Sequence, residues 1–213
     1  MELQNLHRDP RDAERSEVEA EMKHRLALVL PLVGLLLSGS AVSASAASAH
    51  VVSSGKGQYC TAEAQPTGSP VTPTATCYST FSASIRAATG GRVRLPASAK
   101  PGSVTPDQLN AGANTPNSIV VLSIDYTDVN FGGPTLTWTQ NNGCGSFQAA
   151  SMPSGWNDRV SSVITRSGCA NTQYKNINFG GTTFSISRNS SAANLGSFND
   201  QTSSEKWCTA RPC

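Results

Sequence analysis

Past residue 118 the chain is written in short alternations of apolar and polar positions. Thr135-Leu136-Thr137-Trp138-Thr139 and Thr183-Phe184-Ser185-Ile186-Ser187 each place every second side chain on one face, the period of a half-buried strand. Ser118 to Ile124 (SIVVLSI) is rich in β-branched residues. Gly, Asn and Pro punctuate the runs, and no sustained helical period follows. Residues 118–213 are therefore expected to form one all-β domain, of a usual domain size. Residues 50–117 have another texture, rich in Ala, Ser, Thr and Pro. There Phe81, Ile85 and Ala88 fall at helical spacing and Gly90-Gly91 would end that helix. Val93-Arg94-Leu95 reads as a short strand. Thr105-Pro106-Asp107-Gln108 carries the cap, first-turn proline and returning glutamine of a helix start. This region is expected to be small, weakly cored and accessory, without chemistry of its own.

The start of the chain changes the picture. From Met22 a basic stretch, an apolar run (Leu26 to Leu37) and small residues ending at Ala49 make the three parts of a secretory signal. The run falls short of the about 20 residues a membrane span needs. Residues 1–21 are a charged leader, read either as an upstream start or as an extended prelude. The mature chain would be exported, with no membrane anchor.

From His50 onward there are 11 Lys and Arg against 7 Asp and Glu, a net charge of +4, thinly scattered. No basic stripe points to nucleic acid. His50 is the sole histidine of this part, so a Ser-His-Asp triad or a histidine zinc site lacks an internal imidazole. No carboxylate pair or activated nucleophile stands out either, and the protein is not expected to be an enzyme. All six cysteines follow Ala49. Six allow 15 pairings. The local one, Cys60–Cys77, Cys144–Cys169 and Cys208–Cys213, is preferred.

One unit occurs twice. Tyr126-x4-Phe131-Gly132-Gly133, the Leu136/Trp138 strand and Asn157-Asp158-Arg159-Val160-Ser161-Ser162 recur as Tyr174-x4-Phe179-Gly180-Gly181, the Phe184/Ile186 strand and Asn199-Asp200-Gln201-Thr202-Ser203-Ser204. The hairpin landmarks repeat at 48 residues and the Asn-Asp pair at 42, so the second copy has a shorter middle loop. The spacing describes a hairpin folded back on itself, with its two aromatics packed and glycine at a bend closed to other residues. A serine on a later strand can tie that hairpin down. Two such halves would pack as a sandwich of two Greek keys.

This pattern resembles the paired Greek-key motifs of a βγ-crystallin domain, over roughly Val120 to Cys213. The Asn-Asp-x-x-Ser-Ser sextets resemble the calcium-binding signature of its microbial members. That resemblance implies a site built on Ser161 and the carbonyl of Arg159, completed by Asp200. A second is built on Ser203 and the carbonyl of Gln201, completed by Asp158. A further carbonyl would come from Val129 and Ile177. Asn157 and Asn199 would hold loop shape, and Ser162 and Ser204 would pin hairpins. The second copy departs after its serines, with Glu205-Lys206 where the first has Val163. Calcium takes six to eight oxygen ligands, and one carboxylate per site implies weak binding.

The resulting expectation is a secreted, monomeric calcium-binding protein. Small secreted bacterial metalloproteinase inhibitors are similar in fold. An extracellular protease is therefore the alternative partner, met by Thr139–Met152 or by the Cys208–Cys213 end. Some secreted killer toxins are similar too. Asn189-Ser190-Ser191 matches a glycosylation sequon and is read as a polar loop.

Overall fold

The computed structural model describes residues 59–213, apart from 112, 114–116 and 142. The expected leader and signal lie outside the described residues. Eleven strands among the described residues form two sheets. In the first repeat, β4 (Ile119–Asp128) and β5 (Gly132–Asn141) form a hairpin and β7 (Ser162–Thr165) returns beside β4. The second repeat does the same with β8 (Ala170–Asn176), β9 (Gly180–Ile186) and β11 (Ser204–Cys208). The third strand of each repeat crosses to the other sheet: β6 (Phe147–Ala149) pairs with β11, and β10 (Ser191–Ala192) with β7. Neither Greek key closes without the other, and the expected two-motif sandwich is the fold observed.

Residues 59–110 build onto this frame. β1 (Tyr59–Glu63) lies parallel to β5, β2 (Gln65–Pro66) pairs with β6 in the opposite sheet, and β3 (Ala75–Tyr78) pairs with β1. The sheets run β10-β7-β4-β5-β1-β3 and β2-β6-β11-β8-β9. Helix α1 (Phe81–Ala88) forms where the spacing predicts, its N-terminus capped by the Thr80 hydroxyl. Helix α2 (Pro106–Asn110) carries the full capping box of Thr105 and Gln108. Val93–Leu95 is not a strand: the Val93 N–H donates to Thr89 Oγ1 at 3.1 Å, while its side chain is buried. The segment has no separate core. Phe81, Ile85, Val104 and Leu109 pack with Val121, Ile124, Tyr126 and Ile164 on the outer face of the first sheet.

That outer layer follows from composition. Ile124, Tyr126 and Ile164 make the first repeat's outer face apolar, and it is covered. Their counterparts Thr172, Tyr174 and Lys206 make the second polar. There the Lys206 ammonium lies 4.3 Å from the centre of the Phe179 ring. The ring closed by Cys208 and Cys213 is fastened to Thr172 Oγ1 and the Tyr174 hydroxyl. All three disulfides pair as expected.

Between the sheets Trp138 and Trp207 pack at 4.8 Å. A bulge in β4 between Val121 and Ser123 resets its alternation, so that Val120 and Leu122 face the core and then Ser123 and Asp125 do. Ser123 Oγ accepts from Trp207 Nε1 at 2.9 Å and Asp125 Oδ2 from Trp138 Nε1 at 2.7 Å. The Asp125 carboxyl meets Glu205 from the other sheet, and Glu205 accepts from Asn171 Nδ2 at 2.8 Å. No carboxylate pair stands out along the chain because these two lie 80 residues apart. Both are fully buried, out of reach of a substrate. Two adjoining carboxylates shielded from water cannot both ionise cheaply. Burial pushes Asp125 up to about 7, against the pull of its bonds to Glu205 and Trp138. Burial and the neighbouring Asp125 push Glu205 well above the carboxylate range.

The sign follows directly. Folding favours the protonated Asp125, so its contribution to stability is complete below its unfolded value near 3.8 and is lost as pH rises through about 7. Melting temperature is expected to fall over that interval. Asp125→Asn, which keeps the shape and removes one titration, should flatten the fall. An unchanged pH profile in the variant would contradict the assignment.

Candidate metal centre

Each β4–β5 or β8–β9 hairpin turns through a short 3-10 segment, Val129–Phe131 or Ile177–Phe179. Asn130 and Phe131 have φ of 59° and 63°, and Asn178 and Phe179 have 55° and 63°. A left-handed bend at a phenylalanine is costly, and one serine holds it in each repeat. Ser162 Oγ accepts from Phe131 N at 3.0 Å and donates to Asp128 O at 2.6 Å. Ser204 Oγ does the same for Phe179 N at 3.0 Å and Asn176 O at 2.7 Å. The bend stacks Tyr126 on Phe131 and Tyr174 on Phe179, both edge to face at 5.6 Å. Gly133 is obligatory here: a Cβ would lie 2.7 Å from Asp128 Cγ and closer still to Thr127 Oγ1.

The residue before each clamp is the serine named as a ligand. Two reciprocal backbone bonds cross the Asn-Asp loops, Asp158 N to Thr202 O and Asp200 N to Val160 O, each 3.0 Å. Asp158 and Asp200 both sit at φ 54°, a conformation Asp tolerates through local hydrogen bonding. Asn157 Nδ2 donates to Asp158 Oδ2 at 2.7 Å and Asn199 Nδ2 to Asp200 Oδ2 at 3.1 Å. The other carboxylate oxygen then crosses to the opposite repeat. Asp200 Oδ1 lies 3.1 Å from Ser161 Oγ, and Asp158 Oδ1 lies 3.2 Å from Ser203 Oγ.

Side chains at the neighbouring positions turn away. Arg159 donates to Gly155 O at 2.8 Å with its guanidinium 5.5 Å from the Trp156 ring centre, and Gln201 donates to Ser197 O at 2.6 Å. The Arg159 charge therefore leaves the loop interior. Val129 and Ile177 head the two bends with exposed side chains, and no hydrogen bond ties either to an Asp–Ser pair. The following N–H groups do tie each bend to the other repeat: Asn130 N donates to Ala193 O and Asn178 N to Ala150 O, both at 2.7 Å. Sequence reasoning missed the Thr127 carbonyl, which accepts from Ser161 Oγ at 2.7 Å. Backbone oxygens leave no mark in residue type.

The oxygens fit a hard cation. Ser161 has one hydroxyl proton and faces two acceptors, Thr127 O and Asp200 Oδ1, so lone pairs are left facing one another. No group of three or more His, Cys, Asp or Glu occurs among the described residues. Any ion here would rest on one carboxylate with hydroxyl and carbonyl oxygens, a set suited to calcium.

The paired Greek keys are similar to those of solved βγ-crystallin domains. Residues 126–186 match the family model described as peptidase inhibitor family I36. No curated protein matches the chain. Among solved structures it is similar to a domain from a study of the evolution of the eye lens βγ-crystallin domain fold, at 25% identity. That similarity covers 45% of this chain and 90% of that one, with a TM-score of 0.35. It is also similar to a βγ-crystallin domain from Clostridium beijerinckii, at 25% identity over 42% and 99%, TM-score 0.31. A βγ-crystallin from an archaeon matches at 24% identity over 40% and 95%, TM-score 0.30.

Replacing Ser162 or Ser204 by Ala removes two part-buried hydrogen bonds at a strained bend. Each substitution should cost about 1–2 kcal/mol in chemical denaturation. A cost below about 0.5 kcal/mol for either would show that its bend holds without the hydroxyl.

Proposed function

We propose that the protein is an exported, non-enzymatic calcium-binding protein in which the two Asn-Asp loops hold the ion jointly. The observation that carries this reading is the reciprocal placement of Asp200 on Ser161 and Asp158 on Ser203. One site would draw on Asp200, Ser161 and the carbonyls of Arg159 and Val129. The other would draw on Asp158, Ser203 and the carbonyls of Gln201 and Ile177. Bound calcium would supply a positive charge to which both repeats contribute oxygens, and would stabilise the folded state by mass action. One carboxylate per site points to dissociation constants near those of extracellular modules, about 10⁻⁴–10⁻³ M. Three disulfides agree with an oxidising compartment.

Calorimetric titration with calcium should show heat, and melting temperature should rise by an amount equivalent to about 1–3 kcal/mol per site at ligand well above the dissociation constant. Asp158→Ala and Asp200→Ala should each remove one site, and together the whole shift. No heat and no shift at millimolar calcium would reject the reading.

A second reading, inhibition of an extracellular protease, is favoured by the match of residues 126–186 to an inhibitor family. Two elements could enter an enzyme cleft. The loop Thr139–Met152 is tied at Cys144 to Cys169, but much of it is buried. The ring from Cys208 to Cys213 exposes Thr209, Ala210, Arg211 and Pro212 together. Incubation with a thermolysin-like metalloprotease should lower its activity stoichiometrically. Undiminished activity at large molar excess would remove that enzyme class.

A further inference from the structure

The pseudo-twofold relation between the repeats makes β5 the counterpart of β9 and β6 the counterpart of β10. One pair of these edges is occupied by the chain itself. The strap Tyr59–Pro66 pairs with the outer edge of β5 through Tyr59↔Thr135 to Glu63↔Thr139, then crosses to pair with β6 through Gln65↔Gln148. Its inward side chains are small: Cys60, Ala62 and Ala64 are buried in the common core. Its outward residues, Thr61, Glu63 and Gln65, are polar and at least partly exposed.

On the opposite side of the sandwich β9 and β10 end their sheets, and no other described strand pairs with their outer edges. The difference shows in the core. Leu136 of β5, beside the strap, is fully buried, whereas its counterpart Phe184 of β9 is half-buried against Phe198. Strand β9 reads Gly-Gly-Thr-Thr-Phe-Ser-Ile, without the lysine, proline or inward charge that commonly guards an unpaired edge. Strand addition to such an edge takes its affinity from main-chain hydrogen bonds and its selectivity from alternate side chains.

We propose that the β9/β10 edge is a docking site for an extended segment of a partner protein, with small apolar residues at alternate positions and polar residues between them. The segment runs parallel to β9, as β1 runs parallel to β5, and covers Phe184. The strap is the template for this chemistry, since the same molecule already solves the same edge with Cys-Thr-Ala-Glu-Ala. The proposal does not rest on calcium.

The probe is a synthetic peptide of Tyr59–Pro66 carrying Cys60→Ser, titrated to about 1 mM into the ¹⁵N-labelled, disulfide-bonded protein in the presence of a chelator. Amide shifts are expected at residues 182–186 and 191–192, with gained protection from hydrogen exchange at β9. The same peptide with N-methyl groups along its bonding edge should lose at least ten-fold in affinity. Absence of shifts, shifts confined to β5 or the Asn-Asp loops, or equal binding of the N-methylated peptide would each overturn the proposal. So would protection, in the peptide-free protein, of the β9 amides that point away from β8, because a second copy or residues 50–58 would then hold the edge.

Discussion

Two hydroxyl groups, those of Ser162 and Ser204, each hold a backbone bend that phenylalanine would not adopt alone. Each hydroxyl takes one N–H and gives its proton to one carbonyl, which ties the two ends of the bend together. The order that follows is short-range and mechanical. The bend sets the Tyr–Phe pair, and the pair sets the outer face of its sheet. Because Ser161 and Ser203 directly precede the clamps, their hydroxyls are delivered to the facing carboxylates without any freedom of register. The site is thus a by-product of how each hairpin is closed.

Exchange of the third strands adds the second constraint. β6 and β10 belong by sequence to one repeat and by hydrogen bonding to the other. The Asn-Asp loops lie where those crossings end, which explains why each carboxylate reaches the opposite serine. The inner layer obeys the same pairing. Asp125 and Glu205 come from different sheets and meet beneath the tryptophan pair, a polar contact placed where an apolar one would have been cheaper.

Much of this could be read from residue order. The 48- and 42-residue repeats, the glycine pairs and the sextets marked both hairpins, and local cysteine spacing marked the disulfides. Glu205 was harder. In sequence it breaks the likeness to Val163, yet both side chains point into the core and both are buried; the position is conserved in direction and not in chemistry. Its partner Asp125 stands 80 residues away, and nothing local signals such a pairing. The strap was hidden for another reason. Tyr59–Pro66 is short and rich in alanine, and its parallel pairing with β5 is a long-range event that alternation alone cannot announce.

The asymmetry between repeats ties these threads together. Duplication produces two equivalent faces and two equivalent edges, and a lone domain must then dispose of each. The first repeat keeps Ile124 and Ile164 outward, and this apolar face is met by α1, α2 and the connecting residues Val93 and Val104. The second replaces them with Thr172 and Lys206, and its cover is the short Cys208–Cys213 ring, bonded to Thr172 Oγ1 and the Tyr174 hydroxyl. Its edge strand was not modified in the same way. β9 carries threonine, phenylalanine and isoleucine with no charge among them. Each face thus has its own cover, an apolar layer on the first repeat and a short disulfide ring on the second, whereas of the two matching edges only that of β5 is paired among the described strands.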